Sequence, residues 1–233
     1  MSAEENERVE EMAAFFDARA AGYDAYQRGE IWDGPTFAQF YGAVSSPIPE
    51  TDEPIEILDL GCGTGLELEF VLRRAPHARI TGVDRSSKML ELLQARYAAQ
   101  MGQITLVRDS YLTAPLRTSA YDCAISVLAN HHLLHDAKRA LYARIRAALK
   151  SGGCFVEGES VTSAEMEGQF IAEYREQVAT VPPAPEGEYH IDVPLSVGTQ
   201  RALLLEAGFR EFRLIWQKEP VEGWGFAVYV ATA

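Results

Sequence analysis

Short apolar runs alternate with amphipathic stretches through the middle of the chain. In the amphipathic stretches, apolar residues recur every three or four positions, as on one face of a helix. This alternation is typical of strand–helix–strand units and predicts an α/β fold, a Rossmann-like and mostly parallel sheet with helices on both faces. The predicted strands cover residues 55–60, 79–83, 104–107, 121–127 and 154–157, and the predicted helices cover 66–74, 87–100 and 135–150.

The N-terminal segment predicts a helical cap. Apolar residues recur at helical spacing over residues 3–46, around a turn-prone stretch that contains Gly22, Gly29 and Gly34. The last helix of the predicted core is expected to close at the glycine pair that follows residue 151.

The C-terminal third predicts a lid and two further strands. Residues 163–181 have helical periodicity and are followed by prolines and a polar loop, which favours an insertion after strand 5. The alternating runs 209–217 and 224–230 predict an antiparallel pair at the sheet edge, for seven strands in all. We therefore predict a single domain of four parts: cap and linker at 1–54, core at 55–160, lid at 161–195, and a C-terminal helix with antiparallel strands at 196–233.

The charge of the chain bears on its partners. The sequence has 34 acidic and 21 basic side chains, a net charge of -13, and nine of the excess negative charges lie in residues 1–54. An acidic surface opposes the approach of phosphate backbones. We predict a small-molecule partner, no nucleic acid, and a monomer or homodimer.

The cysteines and the first residues bear on the compartment. Cys62, Cys123 and Cys154 are far apart and form no Cys-x-x-Cys pair, so neither a zinc site nor a disulfide framework is indicated. The N-terminus is acidic where a signal peptide needs a basic region, and no apolar run reaches the ~18 residues of a membrane span. We predict a cytoplasmic protein with no membrane partner.

A glycine-rich turn, Ile57-Leu-Asp59-Leu-Gly61-Cys-Gly63-Thr-Gly65, directly follows the first strand and precedes a helix. Such a turn lets a ligand approach the backbone at the positive end of a helix. A dinucleotide fingerprint would need glycine at Leu66. Asp59 would repel a pyrophosphate, whereas it would attract an ammonium or a sulfonium group.

Two more acids follow predicted strands, Asp84 after the second and Asp109 after the third. A carboxylate at the first position can accept hydrogen bonds from both ribose hydroxyls of an adenosine ligand, and one at the second can accept from an adenine amino group. Each acid taken singly is better explained as a helix cap or a solvated loop charge. Three acids at successive strand ends favour a ligand site, because open α/β sheets bind ligands at that edge.

Five segments of the chain together resemble class I S-adenosylmethionine (SAM)-dependent methyltransferases of the small-molecule kind with an N-terminal helical cap. They are ILDLGCGTG, TGVDRSSKML, VRDSY, YDCAISVLANHHL and LKSGG. The resemblance implies a seven-stranded sheet whose last strand is antiparallel, SAM as the cofactor, and a cap tyrosine, here Tyr23, that closes over it. It also implies roles for other residues: Asp59, Gly61 and Gly63 beside the methionine part, Asp84 at the ribose, Met89 beside adenine, Asp109 and Ser110 at the adenine edge, Leu128 and Ala129 beside the cofactor, and Arg19 for its carboxylate.

The expected reaction is direct in-line displacement of a methyl group from SAM onto a small organic acceptor. Placement of two reactants alone can contribute ~7–11 kcal/mol, so no catalytic base is obligatory. The catalytic candidates are His131, which could take a proton from an oxygen or nitrogen nucleophile, and Tyr23. Similar proteins often carry His-His-Leu at this place without using either histidine as a base. We predict no metal, because Asn130-His131-His132 and the nearby His135 give no defined ligand set.

Three other functions stay open at the level of sequence. Residues 195–209 are similar to a segment of carboxy-SAM synthase, which modifies the cofactor itself. An NAD-dependent oxidoreductase would share the fold and the acid after the second strand. A non-catalytic SAM-binding protein would share every feature, because placement chemistry requires no particular catalytic side chain.

Overall fold

A single sheet organises the chain, whose computed structural model describes residues 9–32 and 34–233. The strand order is β3-β2-β1-β4-β5-β8-β7, and a two-residue strand, β6, pairs with β5 beside this path. All pairs are parallel except those that β8 makes with β5 and β7. The predicted mostly parallel α/β sheet with one antiparallel strand near its end is therefore confirmed. The strands are β1 Glu56–Leu60, β2 Arg79–Asp84, β3 Ile104–Arg108, β4 Tyr121–Val127, β5 Leu149–Thr162, β6 Leu195–Ser196, β7 Glu211–Val221 and β8 Trp224–Thr232.

Seven α-helices surround the sheet in the described part of the chain, and several begin at a side chain that caps the first turn. Ser86 Oγ accepts from Met89 N at 3.1 Å before α4, and Ser196 Oγ accepts from Thr199 N at 3.2 Å before α7. Such caps satisfy backbone donors that the helix leaves free. The helices are α1 Met12–Tyr26, α2 Gly34–Ser45, α3 Leu68–Arg74, α4 Ser87–Arg96, α5 His135–Ala148, α6 Glu167–Val178 and α7 Val197–Glu206, with a π-helical turn at Gln27–Ile31 and a 3-10 turn at Ala98–Gln100.

The ends of several elements differ from the sequence prediction. Helix α1 continues through Gly22, which was predicted to lie in a turn; an exposed helical glycine costs only about 1 kcal/mol. Helix α5 ends at Ala148, and β5 begins at Leu149. Strand β5 continues to Thr162 because it pairs with β8 along most of its length. The glycine pair predicted to end the helix lies instead inside β5, where a Cβ on Gly153 would meet a backbone oxygen of Asp122 at 2.9 Å.

The cap is packed into the main core. Trp32 is 1% exposed and stacks on Phe40 of α2 with ring centroids 4.7 Å apart, and it also lies 4.2 Å from the ring of Phe226 on β8. Fully burying one such apolar side chain stabilises a fold by about 1.5–3 kcal/mol. The aromatic residues of the cap thus contribute to one face of the sheet's core.

Helix α1 is also fixed to the carboxyl edge of the sheet. Asp17 Oδ1 accepts from Ser86 Oγ at 2.5 Å and from Lys88 N at 3.0 Å. One heptad later, Asp24 Oδ1 accepts from Thr64 Oγ1 at 2.6 Å. Residues seven apart share a helix face, so both acids hold the same face of α1 against the turns that follow β1 and β2.

The segment after α6 meets the N-terminal end of the cap. Met12 N donates to Glu188 O at 2.8 Å, and His190 N donates to Glu10 O at 2.9 Å. The ring of Phe15 stacks on the ring of His190 with centroids 3.5 Å apart. None of the helices in the described ranges combines the length and the apolar character that crossing a membrane requires.

Candidate functional site

A cavity lies where the loops after β1, β2 and β4 meet the cap and the segment after α6. Open α/β sheets bind their ligands at this edge. Seven of the nine predicted cofactor-binding residues line it: Tyr23, Gly61, Gly63, Asp84, Met89, Ser110 and Leu128. Ala129, Tyr111 and His132 line it as well.

The glycine turn has a geometry that only glycine supplies. Gly61 has φ of +72°, its N donates to Val83 O at 2.8 Å, and a Cβ there would lie 2.4 Å from the Cβ of Ala129. Gly63 has φ of +46°, and its N donates to Asp84 Oδ2 at 2.9 Å. Both positions lie in the left-handed region that favours glycine. The turn therefore brings bare backbone to the cavity.

Asp84 is held at the end of β2 by backbone donors. Its Oδ1 accepts from Ser86 N at 2.8 Å and its Oδ2 accepts from Gly63 N. Burial raises the pKa of this carboxyl, while these backbone hydrogen bonds oppose the rise. Each oxygen keeps a further acceptor site, so the carboxylate can still bind a pair of hydroxyl groups.

Asp59 and Glu67 form a buried pair of carboxyl groups. Asp59 is fully buried and Glu67 is 5% exposed. Neither oxygen of Asp59, nor Oε1 of Glu67, has a hydrogen-bond partner of acceptable geometry among the described residues. Burial and the neighbouring Glu67 raise the pKa of Asp59 well above its ordinary value, and burial raises the pKa of Glu67 to about 7. Two adjacent acids that lack a cation share protons or attract a positive group. Glu67 was not predicted, because an acid at the start of α3 looks like an ordinary favourable charge at a helix N-terminus.

Two predicted residues lie outside the cavity lining. Asp59 is buried behind it, as described above, and Asp109 Oδ1 accepts from the backbone N of Ser110 at 2.7 Å beside an adjacent groove. Arg19 also lies away from it: this side chain pairs with Glu10 at 2.8 Å and lies over the ring of Phe15.

Tyr111 and Leu128 shape the cavity wall. Tyr111, which the sequence did not single out, donates from its hydroxyl to Ala129 O at 2.6 Å. Leu128 has φ of +49°, a conformation that costs a non-glycine residue about 1–3 kcal/mol and that clusters at functional sites. Its N donates to Gly158 O at 2.8 Å, which fixes the loop after β4 to the neighbouring strand.

Comparison with known proteins agrees with this geometry. A family profile described as "Methyltransferase domain" matches residues 57–153. Trans-aconitate 2-methyltransferase of Pseudomonas paraeruginosa is 34% identical over 131 residues, which cover 53% of this chain and 44% of that protein. These similarities, which cover residues 57–153 and about half of the chain, support a class I SAM-dependent methyltransferase.

Solved methyltransferase structures share the fold of this chain. Phosphoethanolamine N-methyltransferase 2 of Haemonchus contortus has a TM-score of 0.72 at 13% identity, over 96% of this chain and 61% of that one. A SAM-dependent methyltransferase of Thermotoga maritima has a TM-score of 0.63 at 19% identity, over 95% and 99%. The chain spans less than half the length of the curated relative named above.

The two histidines after β4, His131 and His132, have different surroundings. The structure does not place His131 among the residues that line the cavity. Its Nδ1 lies 2.6 Å from Oε1 of Glu159, and its Nε2 lies 3.5 Å from Oδ1 of Asp192. Burial would lower the pKa of His131, but the Glu159 carboxylate, together with Asp192, raises it above its ordinary value. His131 is therefore a charged ring held between two carboxylates.

His132 is 1% exposed and lines the cavity. Its Nδ1 forms a hydrogen bond with Ile191 O at 3.2 Å and lies 3.1 Å from Asp192 Oδ1. Its Nε2 is buried and has no hydrogen-bond partner among the described residues. Burial and the adjacent charge of His131 lower the pKa of His132. From the sequence we predicted His131 rather than His132, because two adjacent histidines give no signal of which ring will line a cavity.

His131, His132 and Asp192 also have the composition of a metal site. One ligand atom from each lies within 4.8 Å of the others. Nδ1 of His132 is the nitrogen nearest to Asp192, at 3.1 Å, and it also lies 3.2 Å from the carbonyl oxygen of Ile191. Because both neighbours are hydrogen-bond acceptors, this nitrogen must carry a hydrogen. A protonated nitrogen cannot bind a metal. The donor set therefore fits hydrogen bonding better than coordination.

Two charged side chains, Asp84 and Arg85, are among the described lining residues of the cavity. Arg85 is the single Lys or Arg among its described lining residues. Its guanidinium donates to Gly187 O at 3.1 Å and pairs with Glu188 at 2.8 Å. These partners lie in the segment after α6, so Arg85 connects that segment to the end of β2.

Proposed function

We propose that this chain transfers a methyl group from SAM to a small organic acceptor by direct in-line displacement. The observation that carries the proposal is a buried pair of carboxyl groups, Asp59 and Glu67, beside the glycine turn. The glycines of this turn and Asp84 line the cavity. SAM, when bound, supplies a methyl group activated by a sulfonium. Its ammonium and sulfonium charges suit two acids that lack a cation, and its ribose diol suits a carboxylate held as Asp84 is.

The same acids argue against the dinucleotide alternative. A pyrophosphate at the glycine turn would bring two negative charges towards Asp59 and Glu67, neither of which has a basic partner among the described residues. Two like unit charges 4 Å apart repel by about 4 kcal/mol at an effective dielectric constant of 20. Ionised carboxylates beside the glycine turn would therefore oppose a pyrophosphate there.

The proposed cofactor-binding residues follow from this arrangement. The ammonium end is proposed to lie near Asp59, Gly61 and Gly63, and the ribose at Asp84. The adenine is proposed to lie beside Met89, with Asp109 and Ser110 at its edge. Leu128 and the cap residue Tyr23 are proposed to enclose the middle of the molecule.

The cap and the proposed lid, residues 161–195, supply the second requirement of a displacement reaction, which is exclusion of water. Met12 and Phe16 of α1, and Gly187 of the proposed lid, line the cavity together. Such closure holds donor and acceptor in line, and placement of this kind is worth ~7–11 kcal/mol.

The acceptor proposed here is neutral or cationic. The related protein from Pseudomonas paraeruginosa takes its name from trans-aconitate, a polycarboxylate. Among the described lining residues the one Lys or Arg, Arg85, is paired with Glu188. A polycarboxylate would therefore find no unpaired basic side chain among the described lining residues.

We also propose a cytoplasmic location and a monomeric or homodimeric state. The sulfur atoms of Cys123 and Cys154 lie 3.2 Å apart as free thiols, a pair that remains reduced in a reducing compartment. Cell fractionation and light scattering test the two statements.

Binding of SAM and of its demethylated product tests the proposed function. At 100 times Kd, a ligand should stabilise the fold by about 2.7 kcal/mol. Asp59→Asn and Asp84→Ala should each weaken binding at least tenfold, whereas Asp52→Asn, an exposed acid in the linker, should not. A folded protein that binds NAD but neither SAM nor its product would overturn the proposal.

An acceptor panel separates transfer from the remaining alternatives. Acceptor-dependent release of the demethylated cofactor is expected. Conversion of SAM to a carboxylated form without an acceptor would indicate the carboxy-SAM synthase type of reaction. Binding without turnover of any acceptor would leave a SAM-binding protein.

A further inference from the structure

We propose that His132 is the general base of the reaction and that the acceptor is therefore a neutral O–H compound. The inference rests on the proposed function and deepens it, because it names the acceptor class. It is carried by the surroundings of the His132 ring, which lines the cavity: Nδ1 is engaged, and Nε2 is buried without a partner among the described residues.

The partners of Nδ1 fix the tautomer of His132. Ile191 O at 3.2 Å and Asp192 Oδ1 at 3.1 Å are both acceptors, and neither can donate to the ring as a carbonyl and an ionised carboxylate. The hydrogen must therefore be on Nδ1. The lone pair is then on Nε2, which is the nitrogen that a general base needs.

Charges around His132 keep the ring neutral and ready to accept a proton. The groups that face it are His131 from the same loop, Glu159 from β5, and His190 and Asp192 from the segment after α6. His131 is cationic between its two carboxylates and repels a second positive charge, while Asp192 opposes this effect. His190 is itself neutral, since burial and His132 lower its pKa to about 3.

The transfer moves one methyl group and one proton. A lone pair of the acceptor's oxygen forms the new bond to the methyl carbon, and the electron pair of the broken C–S bond stays on sulfur. The acceptor's hydrogen passes to Nε2 of His132, so the positive charge of the sulfonium ends on the imidazolium. Asp192, 3.1 Å from Nδ1, stabilises that imidazolium and acts as a positioning residue. The proton leaves to solvent after the product.

A carboxylate acceptor has no hydrogen to lose and would not need this base. His131 could not take the role, because both of its nitrogens face carboxylate oxygens. A neutral hydroxyl, in contrast, becomes a strong acid as it is methylated and requires a proton acceptor at hydrogen-bond distance.

Nitrogen NMR of histidine in the complex with the demethylated cofactor tests the tautomer without any acceptor. With 15N-labelled histidine, the His132 signals, assigned by their loss in His132→Asn, should show hydrogen on Nδ1 and a bare Nε2 between pH 6.5 and 8. Hydrogen on Nε2, or a doubly protonated ring at pH 7, would overturn the inference. Failure of the cofactor to bind would instead count against the proposed function. Stoichiometric Zn²⁺ that shifts both His131 and His132 signals at low micromolar concentration would also overturn it, in favour of a metal site.

Turnover tests the acceptor class with a matched pair of variants. Asparagine at position 132 can keep an amide donor towards Ile191 O while removing the base. His132→Asn should lower kcat by about 10²–10⁴-fold with catechol or benzyl alcohol as acceptors and change the Kd for the demethylated cofactor less than twofold. His77→Asn, at an exposed histidine, should change neither. Wild-type turnover of trans-aconitate but of neither other probe, or undiminished kcat in His132→Asn, would contradict the inference.

Discussion

Nδ1 of His131 lies 2.6 Å from Oε1 of Glu159, a carboxylate that is itself completely buried. Glu159 also accepts from Ser160 N and Asn130 N, each at 2.8 Å. Three donors on one buried carboxylate keep it ionised, and its charge in turn keeps the ring protonated. This pair fixes the loop after β4 and supplies the positive charge that faces His132.

The pair predicts how stability depends on pH. The pKa of Glu159 is lowered, because His131 outweighs burial, so its contribution is present above its ordinary value of 4.5 and lost as pH falls. The pKa of His131 is raised above 6.5, so its contribution is complete below 6.5 and lost as pH rises through the folded-state value. We expect the free energy of unfolding to gain most from the pair between about pH 4.5 and 6.5, measured by urea denaturation.

Glu159→Gln should remove this pH-dependent contribution and destabilise the fold by about 3–5 kcal/mol, as expected when one partner of a buried pair is removed. Glu173→Gln, on the exposed face of α6, is the matched control and should leave the profile unchanged. A parallel loss of stability at every pH, with no change in the shape of the profile, would indicate that the two groups are not charged partners.

The contact between Asp192 and His132 predicts a shift in the pH profile of activity. Asp192 raises the pKa of His132, against burial and the charge of His131. In Asp192→Asn the pKa of His132 should fall, so the acidic limb of kcat/KM should move to lower pH. The drop in kcat should be smaller than the ~10²–10⁴-fold that loss of a general base causes. Asp192→Glu should restore the limb; a uniform loss of rate without a shift would mean that Asp192 only supports the fold.

Much of this site could be predicted from sequence, because its glycine turn and strand-end acids are local signals. Gly61 and Asp84 follow strands that periodicity reveals, and parallel strands bring their carboxyl ends to one edge. The role of His132 could not be predicted, since the partners of Nδ1 are Ile191 and Asp192, 59 and 60 positions away. The length of β5 was missed for the same reason: its pairing with β8 joins residues more than 60 positions apart.

The carboxyl pair Asp59 and Glu67 predicts that cofactor binding releases protons. Burial raises the pKa of Glu67 to about 7 and that of Asp59 well above its ordinary value, so the pair is partly protonated at neutral pH. A bound ammonium favours the ionised form, so the affinity for SAM should rise as pH increases from 6 to 8. Calorimetry in buffers of different ionisation enthalpy should detect the released protons. Glu67→Gln should reduce the release, and an affinity for SAM that is independent of pH in the wild type would contradict this account.

A pair of glycine substitutions tests whether the turn is required for its backbone shape. Gly61→Ala places a Cβ 2.4 Å from the Cβ of Ala129 at a φ of +72°, so either the turn or the loop after β4 must move. We expect a loss of more than about 2 kcal/mol in unfolding free energy and no measurable SAM binding at 1 mM. Gly42→Ala, in helix α2 with no atom near the added Cβ, should instead stabilise the fold by about 0.4–1 kcal/mol and leave binding unchanged. Normal affinity for SAM in Gly61→Ala would show that the ligand does not use the close approach at this turn.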